Sequence, residues 1–206
     1  MMRFLQISLL SLLLLSCKSY QIENAVSKES SVKEYKNLYF SDPKTDYVYK
    51  ATIDVYGNQL SGIFIAKKIN DTTHRVVFST DFGNTLLDFE LSENDFKINY
   101  IQEDLNRKII VNTLRDDFRL LLRLSHPVQE VFENDESIIY KSADKKWFNY
   151  FFESKTDKRL TKIITASKSK EKIILGFESK NATFAHNITI QHKNIKLKIT
   201  LNQITN

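Results

Sequence analysis

The feature that most constrains this chain is a succession of stretches in which apolar and polar residues alternate with period two. The last is the cleanest: Ile195, Leu197, Ile199 and Leu201 fall on one side, while Lys196, Lys198, Thr200 and Asn202 fall on the other, and the alternation lapses at Gln203. Successive side chains of a strand point to opposite faces, so this is a strand with one buried and one wet face, as antiparallel sheets have. Earlier in the chain, Tyr47 to Val55 alternates in the same way, and Leu60 to Ile69, Arg75 to Ser79, Thr85 to Leu91 and Phe96 to Tyr100 follow. Between them lie Tyr56-Gly57-Asn58-Gln59, Asn70-Asp71-Thr72, Asp81-Phe82-Gly83-Asn84 and Ser92-Glu93-Asn94-Asp95, all rich in residues that tolerate chain reversal. Strands at this spacing joined by tight turns predict an antiparallel meander.

The period then changes. Asp104 is placed as a helix N-cap, and Leu105, Ile109, Leu114, Phe118, Leu121 and Leu122 recur at helical spacings up to Arg123. Asn112-Thr113 is a point where two short helices could meet, and His126-Pro127 ends the segment. An apolar face this broad needs an apolar partner, which the concave side of the sheet supplies. Strands resume at Val128–Phe132, Ser137–Lys141, Lys146–Glu153, Leu160–Ala166, Lys172–Phe177, Phe184–Gln191 and Ile195–Asn202. Lys146–Glu153, with Trp147, Phe148, Tyr150, Phe151 and Phe152, is apolar on both faces, which predicts a mid-sheet position beneath the helix. Val32–Phe40 fits either a short helix or an opening strand. The expected fold is mainly β with a short helical insertion: a curled antiparallel sheet (half-barrel) of about 11–12 strands, with one or two helices on its concave face.

The N-terminus sets the compartment. Arg3 precedes the apolar run LQISLLSLLLL, too short for a stable membrane helix and of the form of a secretory leader. No later apolar run approaches the ~18 residues needed to span a bilayer. Leu14-Leu15-Ser16-Cys17 closely resembles the end of a bacterial lipoprotein signal peptide. That resemblance implies cleavage before Cys17 and acylation of the new terminus; several acyl chains, at about 0.8 kcal/mol per buried CH₂, anchor durably. Cys17 is the only cysteine, so the folded part holds no disulfide. The expected organisation is a signal peptide at 1–16, an anchored cysteine and polar tether at 17–46, and one domain at 47–206. Roughly 180 residues after the leader suit one well-buried core. Lys18 after Cys17, with no Asp of the kind that resembles an inner-membrane retention signal, favours the periplasmic face of the outer membrane.

Strands, helices and strands behind a lipoprotein leader resemble the half-barrel of the LolA and LolB lipoprotein-carrier family, over roughly Tyr47 to Asn202. The resemblance implies a cavity under the helices that takes acyl chains and a role in handing lipoproteins to the outer membrane. It also implies an apolar residue protruding between the third and fourth strands, a place that Phe82 takes in Asp81-Phe82-Gly83-Asn84. The residues expected around a cavity are Leu105, Ile109, Phe118 and Leu122 of the helix and Phe64, Phe78, Phe89, Trp147 and Phe151 of the sheet. They would equally serve as a filled core, because periodicity does not separate core from pocket.

Catalytic constellations are sparse. Asp81-Phe82-Gly83 spells the kinase magnesium triplet, but the glycine-rich loop, strand lysine and HRD segment that must accompany it do not occur. No G-x-S-x-G elbow occurs either. His74, His126, His186 and His192 read as surface or turn residues, and Asp116/Asp117 as part of a solvated face. Between Lys155 and Asn206 eleven basic residues stand against three acidic ones, which predicts a basic outer sheet face able to attract anionic head groups or simply to keep the surface soluble. Lysines without an aromatic platform in an exported chain argue against nucleic acid. The expectation is a non-enzymatic, lipid-anchored periplasmic protein with no cofactor or metal, its partners being an acyl chain or lipoprotein cargo and the membrane. The alternative is an accessory lipoprotein that acts as an interaction module of an envelope complex.

Overall fold

The chain leaves its sheet at one edge and returns to it near the other, and this crossing places the helix. The computed structural model describes residues 20–204; the leader and Cys17 lie outside them. Two short strands come first, β1 (Val26–Lys28) and β2 (Glu34–Lys36). The expected meander follows as β3 (Asp46–Val55), β4 (Asn58–Lys68), β5 (His74–Thr80), β6 (Thr85–Leu91) and β7 (Phe96–Ile101). A 3₁₀ turn, Glu103–Leu105, leads into helix α1 (Lys108–Leu122). Then come β8 (Ser125–Pro127), β9 (Glu130–Glu133), β10 (Ser137–Asp144), β11 (Trp147–Ser154), β12 (Leu160–Ala166), β13 (Glu171–Ser179), β14 (Ala185–His192) and β15 (Leu197–Gln203).

Thirteen strands form one antiparallel sheet in the order β1-β9-β10-β11-β12-β13-β14-β15-β3-β4-β5-β6-β7, and β2 and β8 form a separate ribbon. The two halves join where β15 pairs with β3, from Leu197 opposite Val55 to Gln203 opposite Tyr49. The sheet is curled and not closed into a barrel, a half-barrel as expected, with two strands more than the lower expected count. Because β7 is one edge and β9 lies next to the other, α1 must cross the concave face. It buries Val111, Leu114, Phe118, Leu121 and Leu122 there, and the Phe118 ring sits 5.3 Å from that of Phe64.

Local chemistry explains most boundaries. In β3, Tyr47, Tyr49, Ala51 and Ile53 are buried, and in β15, Leu197, Ile199 and Leu201, as their alternation requires. The helix does not divide at Asn112-Thr113. Asp104 belongs to the 3₁₀ turn, and the position before the helix is Arg107, which makes no side-chain cap. β7 is an edge strand, so Ile98 and Tyr100 of its apolar set remain exposed.

Residues 20–46 depart most from expectation, being built into the domain. Tyr39 and Phe40 are fully buried, and Asn37, also buried, donates its Nδ2–H to the Leu121 carbonyl at 3.0 Å, satisfying an end of α1 that would otherwise lack a partner. The ambiguous stretch 32–40 thus holds a strand, β2, not a helix. This segment also corrects the reading of β11. Its concave side meets the β2–β8 ribbon, with Tyr35 and His126 ring centroids 5.0 and 4.3 Å from that of Phe151, not α1. Its outer side carries Tyr150 and Phe152 in a second cluster, covered by Tyr20, Ile22 and Ala25. An apolar strand on both faces needs two covers, and the covers come from residues expected to be tether.

Candidate functional site

An apolar cavity of about 250 Å³ lies between the first half of α1 and the sheet. Ile53, Val55, Phe78 and Leu87 form its sheet wall, and Leu105, Ile109, Ile110 and Leu114 its helical wall. Tyr56 and Ile195, from the β3–β4 and β14–β15 turns, stand at its mouth, where Tyr56 is 64% and Ile109 73% exposed. Among the described residues, Thr113 and Tyr56 bring the only hydroxyls, and no carboxylate, amine or imidazole lines the walls. This volume exceeds the roughly 150 Å³ cavity that admits a benzene ring and falls just short of the ~300 Å³ at which small-molecule pockets begin. One alkyl segment fits; a bundle of chains does not.

Of the residues expected around a cavity, Phe78, Leu105 and Ile109 line it. Phe64, Phe89, Phe118, Leu122 and Phe151 do not; they are buried in the filled core beneath the second half of α1 and the β2–β8 ribbon. Trp147 is remote from the cavity, at the first residue of β11, with the Lys146 and Lys172 amines 5.0 and 5.6 Å from its ring centroid. Val55, Leu87, Ile110 and Ile195 were missed. Alternation marked Val55, Leu87 and Ile195 as inward-facing, whereas Ile110 fell outside the helical set, and nothing in a single sequence says which inward residue lacks a neighbour.

Phe82 is 94% exposed, at the tip of the turn joining the third and fourth strands of the meander β3–β7. The turn is tight: Thr80 N–H donates to the Asn84 carbonyl at 2.8 Å and Gly83, with φ +86°, donates back to Thr80 at 3.0 Å. Asp81 beside it pairs with Lys50 of β3. The ring does not fold back onto the sheet, which removes the simple explanation for an aromatic at a tip. The approach of β5 to β4 depends on Gly62, where an added Cβ would lie 1.9 Å from the Ser79 carbonyl oxygen.

Charge is distributed differently from expectation. Of the basic residues from Lys155 on, only Lys162, Lys172 and Lys198 lie within strands, the last two at the second position; the others sit in turns or beside them. A basic outer face is therefore not what they build.

Three histidines correct the surface reading. His74, His126 and His192 are buried, while His186 is partly exposed. His74 Nε2 donates to the Phe40 carbonyl at 2.9 Å, fixing a phenylalanine held at φ +63°. His126 pairs with the Arg123 carbonyl at 3.2 Å; burial, reinforced by the Arg123 charge, pushes it down to about 3. His192 of β14 donates to Asp117 Oδ2 of α1 at 2.8 Å, and both side chains are buried. Asp117 thus leaves the solvated face assigned to it. Burial raises its carboxyl above the usual range, against the opposing pull of His192, and its Oδ1 has no partner among the described residues.

Among the described residues, no three His, Cys, Asp or Glu side chains are grouped to hold a metal ion, and no helix is long and apolar enough to cross a membrane. No protein-family model and no curated protein matches the sequence. Among solved structures, a DUF1329 family protein from Desulfovibrio piger is similar at a TM-score of 0.44 and 10% identity, covering 80% of this chain and 86% of that one. A domain assigned to outer membrane lipoprotein sorting, from Vibrio parahaemolyticus, is similar at 0.43 and 10%, covering 78% of this chain and 83% of that one. At these scores and identities neither likeness bears on what this protein binds.

Proposed function

We propose that this protein is a lipid-anchored envelope protein that holds one acyl chain, of a lipid or a lipoprotein, in the cavity under α1. The cavity carries the proposal: its walls are hydrocarbon apart from two hydroxyls, and its mouth is open beside Tyr56 and Ile109. An apolar space of this size loses contact energy when empty, and each methylene moved into it from water contributes about 0.8 kcal/mol. With no titratable group in the walls beyond the Tyr56 phenol, the site is suited to holding, not to converting, its ligand. The leader followed by Cys17 supports anchoring at the envelope, with transfer of lipoproteins at the periplasmic side of the outer membrane as the reading that fits a carrier so placed.

Native mass spectrometry of the purified protein, with titration of a fluorescent fatty acid, tests the proposal. A co-purifying lipid and saturable uptake at one site are expected. Uptake that never saturates, with no bound lipid, contradicts it and leaves the interaction-module reading.

A further inference from the structure

Antiparallel pairing puts five turns at one rim of the sheet. The registers Asp144–Trp147, Phe148–Ala166, Ile173–His192, Leu197–Val55 and Gly62–Thr80 all belong to that end. The rim therefore carries the β10–β11, β12–β13, β14–β15, β3–β4 and β5–β6 turns. Lys145, Lys146, Lys168, Lys170, Lys193 and Lys196 lie exposed in the first three, with Lys172 alongside, against Asp144 and Glu171 as the local acids. None of these lysines forms an ion pair among the described residues. At the opposite rim four cations are paired, Arg159 with Asp157, Lys155 with Glu133, Lys67 with Asp46 and Arg123 with Glu93, and the unpaired Lys44, Lys158 and Lys180 are spread over separate segments.

The chain also emerges at the basic rim. Tyr20 N–H donates to the Lys168 carbonyl at 2.5 Å, its hydroxyl donates to Glu171 at 2.8 Å, and its ring lies 5.2 Å from that of Tyr150. Glu171, one of the two local acids, is thereby engaged by a neutral partner. Tyr20 lies three positions after Cys17, a reach of at most about 10 Å. A domain anchored at Cys17 is thus strapped to the bilayer by the β12–β13 turn and does not swing on a long tether.

We infer that this rim is the face of the protein that rests on an anionic lipid surface, the unpaired lysines of the β10–β11, β12–β13 and β14–β15 turns meeting the head groups. The occupant follows from charge, since unpaired lysines on adjoining turns attract anionic lipid additively, and from where the described chain ends. In this orientation the cavity mouth at Tyr56 and Ile195 and the Phe82 tip, on the same rim, face the bilayer. The inference rests on the lipid anchor of the proposed function but not on the cavity's being filled.

Trp147, the only tryptophan, stands in this rim between Lys146 and Lys172 and reports on it directly. The full chain, extracted from membranes, is reconstituted into phosphatidylethanolamine vesicles with or without phosphatidylglycerol, using lipids brominated near the top of the acyl chain. Trp147 fluorescence is expected to be quenched on the anionic vesicles, with most of the quenching lost at about 1 M salt, where the screening length is roughly 3 Å. Reversing Lys145, Lys146, Lys168 and Lys170 to Glu, or neutralising them to Gln, is expected to remove at least about half of it. The same changes at Lys44 and Lys180 of the opposite rim leave it intact. No quenching on either vesicle, or equal quenching indifferent to salt and to the rim lysines, overturns the inference. Fatty-acid uptake is measured separately, so either reading can fail while the other stands.

Discussion

His192 Nε2 donates to Asp117 Oδ2 across 2.8 Å, and this buried bond ties the middle of α1 to β14, on the floor of the half-barrel. Removing one partner of a buried hydrogen-bonded pair leaves the other unsatisfied, at a cost of about 1–3 kcal/mol. Asp117→Ala and His192→Ala are each expected to lower stability by that order in urea unfolding. The double variant is expected to lose much less than the sum, because the two groups act as a unit. Additive losses would show that the pair is not coupled.

Acid is expected to loosen the fold well above the carboxylate range. His126 is held neutral, down at about 3, and burial lowers His74 as well. Below the unfolded value near 6.5 the unfolded chain takes up protons that the folded chain refuses, so stability is full above about pH 6.5 and falls as pH drops toward 3. The slope is at most about 1.4 kcal/mol per pH unit for each histidine. Thermal melts at pH 7 and pH 5 measure it. His126→Gln is expected to flatten the profile; an unchanged slope would mean that His126 takes up its proton in the folded state.

Gly62→Ala is expected to be costly, since the new Cβ would meet the Ser79 carbonyl at 1.9 Å and the Phe78 ring at 3.0 Å. Overpacking of this kind costs about 1–3 kcal/mol. Phe78 is a cavity wall, so the variant is also expected to weaken fatty-acid uptake, which a titration alongside the melt will show.

Phe82→Glu separates a turn from a contact. An exposed tip residue changes stability by less than about 0.5 kcal/mol, so the melt is expected to stay in place. Association with anionic vesicles is expected to fall, and if it does not, the ring at the tip has no role in contact.

These residues show which parts of the structure were legible in the sequence. The meander β3–β7, the strands β9–β15 and the crossing helix were, because Tyr47 to Val55, Leu197 to Leu201 and the Leu114, Phe118, Leu121 set carry their periods in the open. The segment 20–46 was not, since strands of three residues such as β1 and β2 have no period to read. Nor were the buried histidines legible: the Phe40 carbonyl that accepts from His74 lies 34 positions away, and Asp117 lies 75 from His192. The site was half legible for a related reason. Phe78 and Phe64 have the same pattern, yet one borders empty space and the other meets Phe118, and only the packing of the whole chain decides between them.

The most direct test of the account is fatty-acid titration of the native protein against Thr113→Phe and Ile110→Trp, two changes that push bulk into the cavity from α1. The account predicts saturable binding at one site in the native chain and its loss in both variants, with melting temperatures retained. Binding that persists undiminished in both folded variants, or is absent from the native chain, would contradict it.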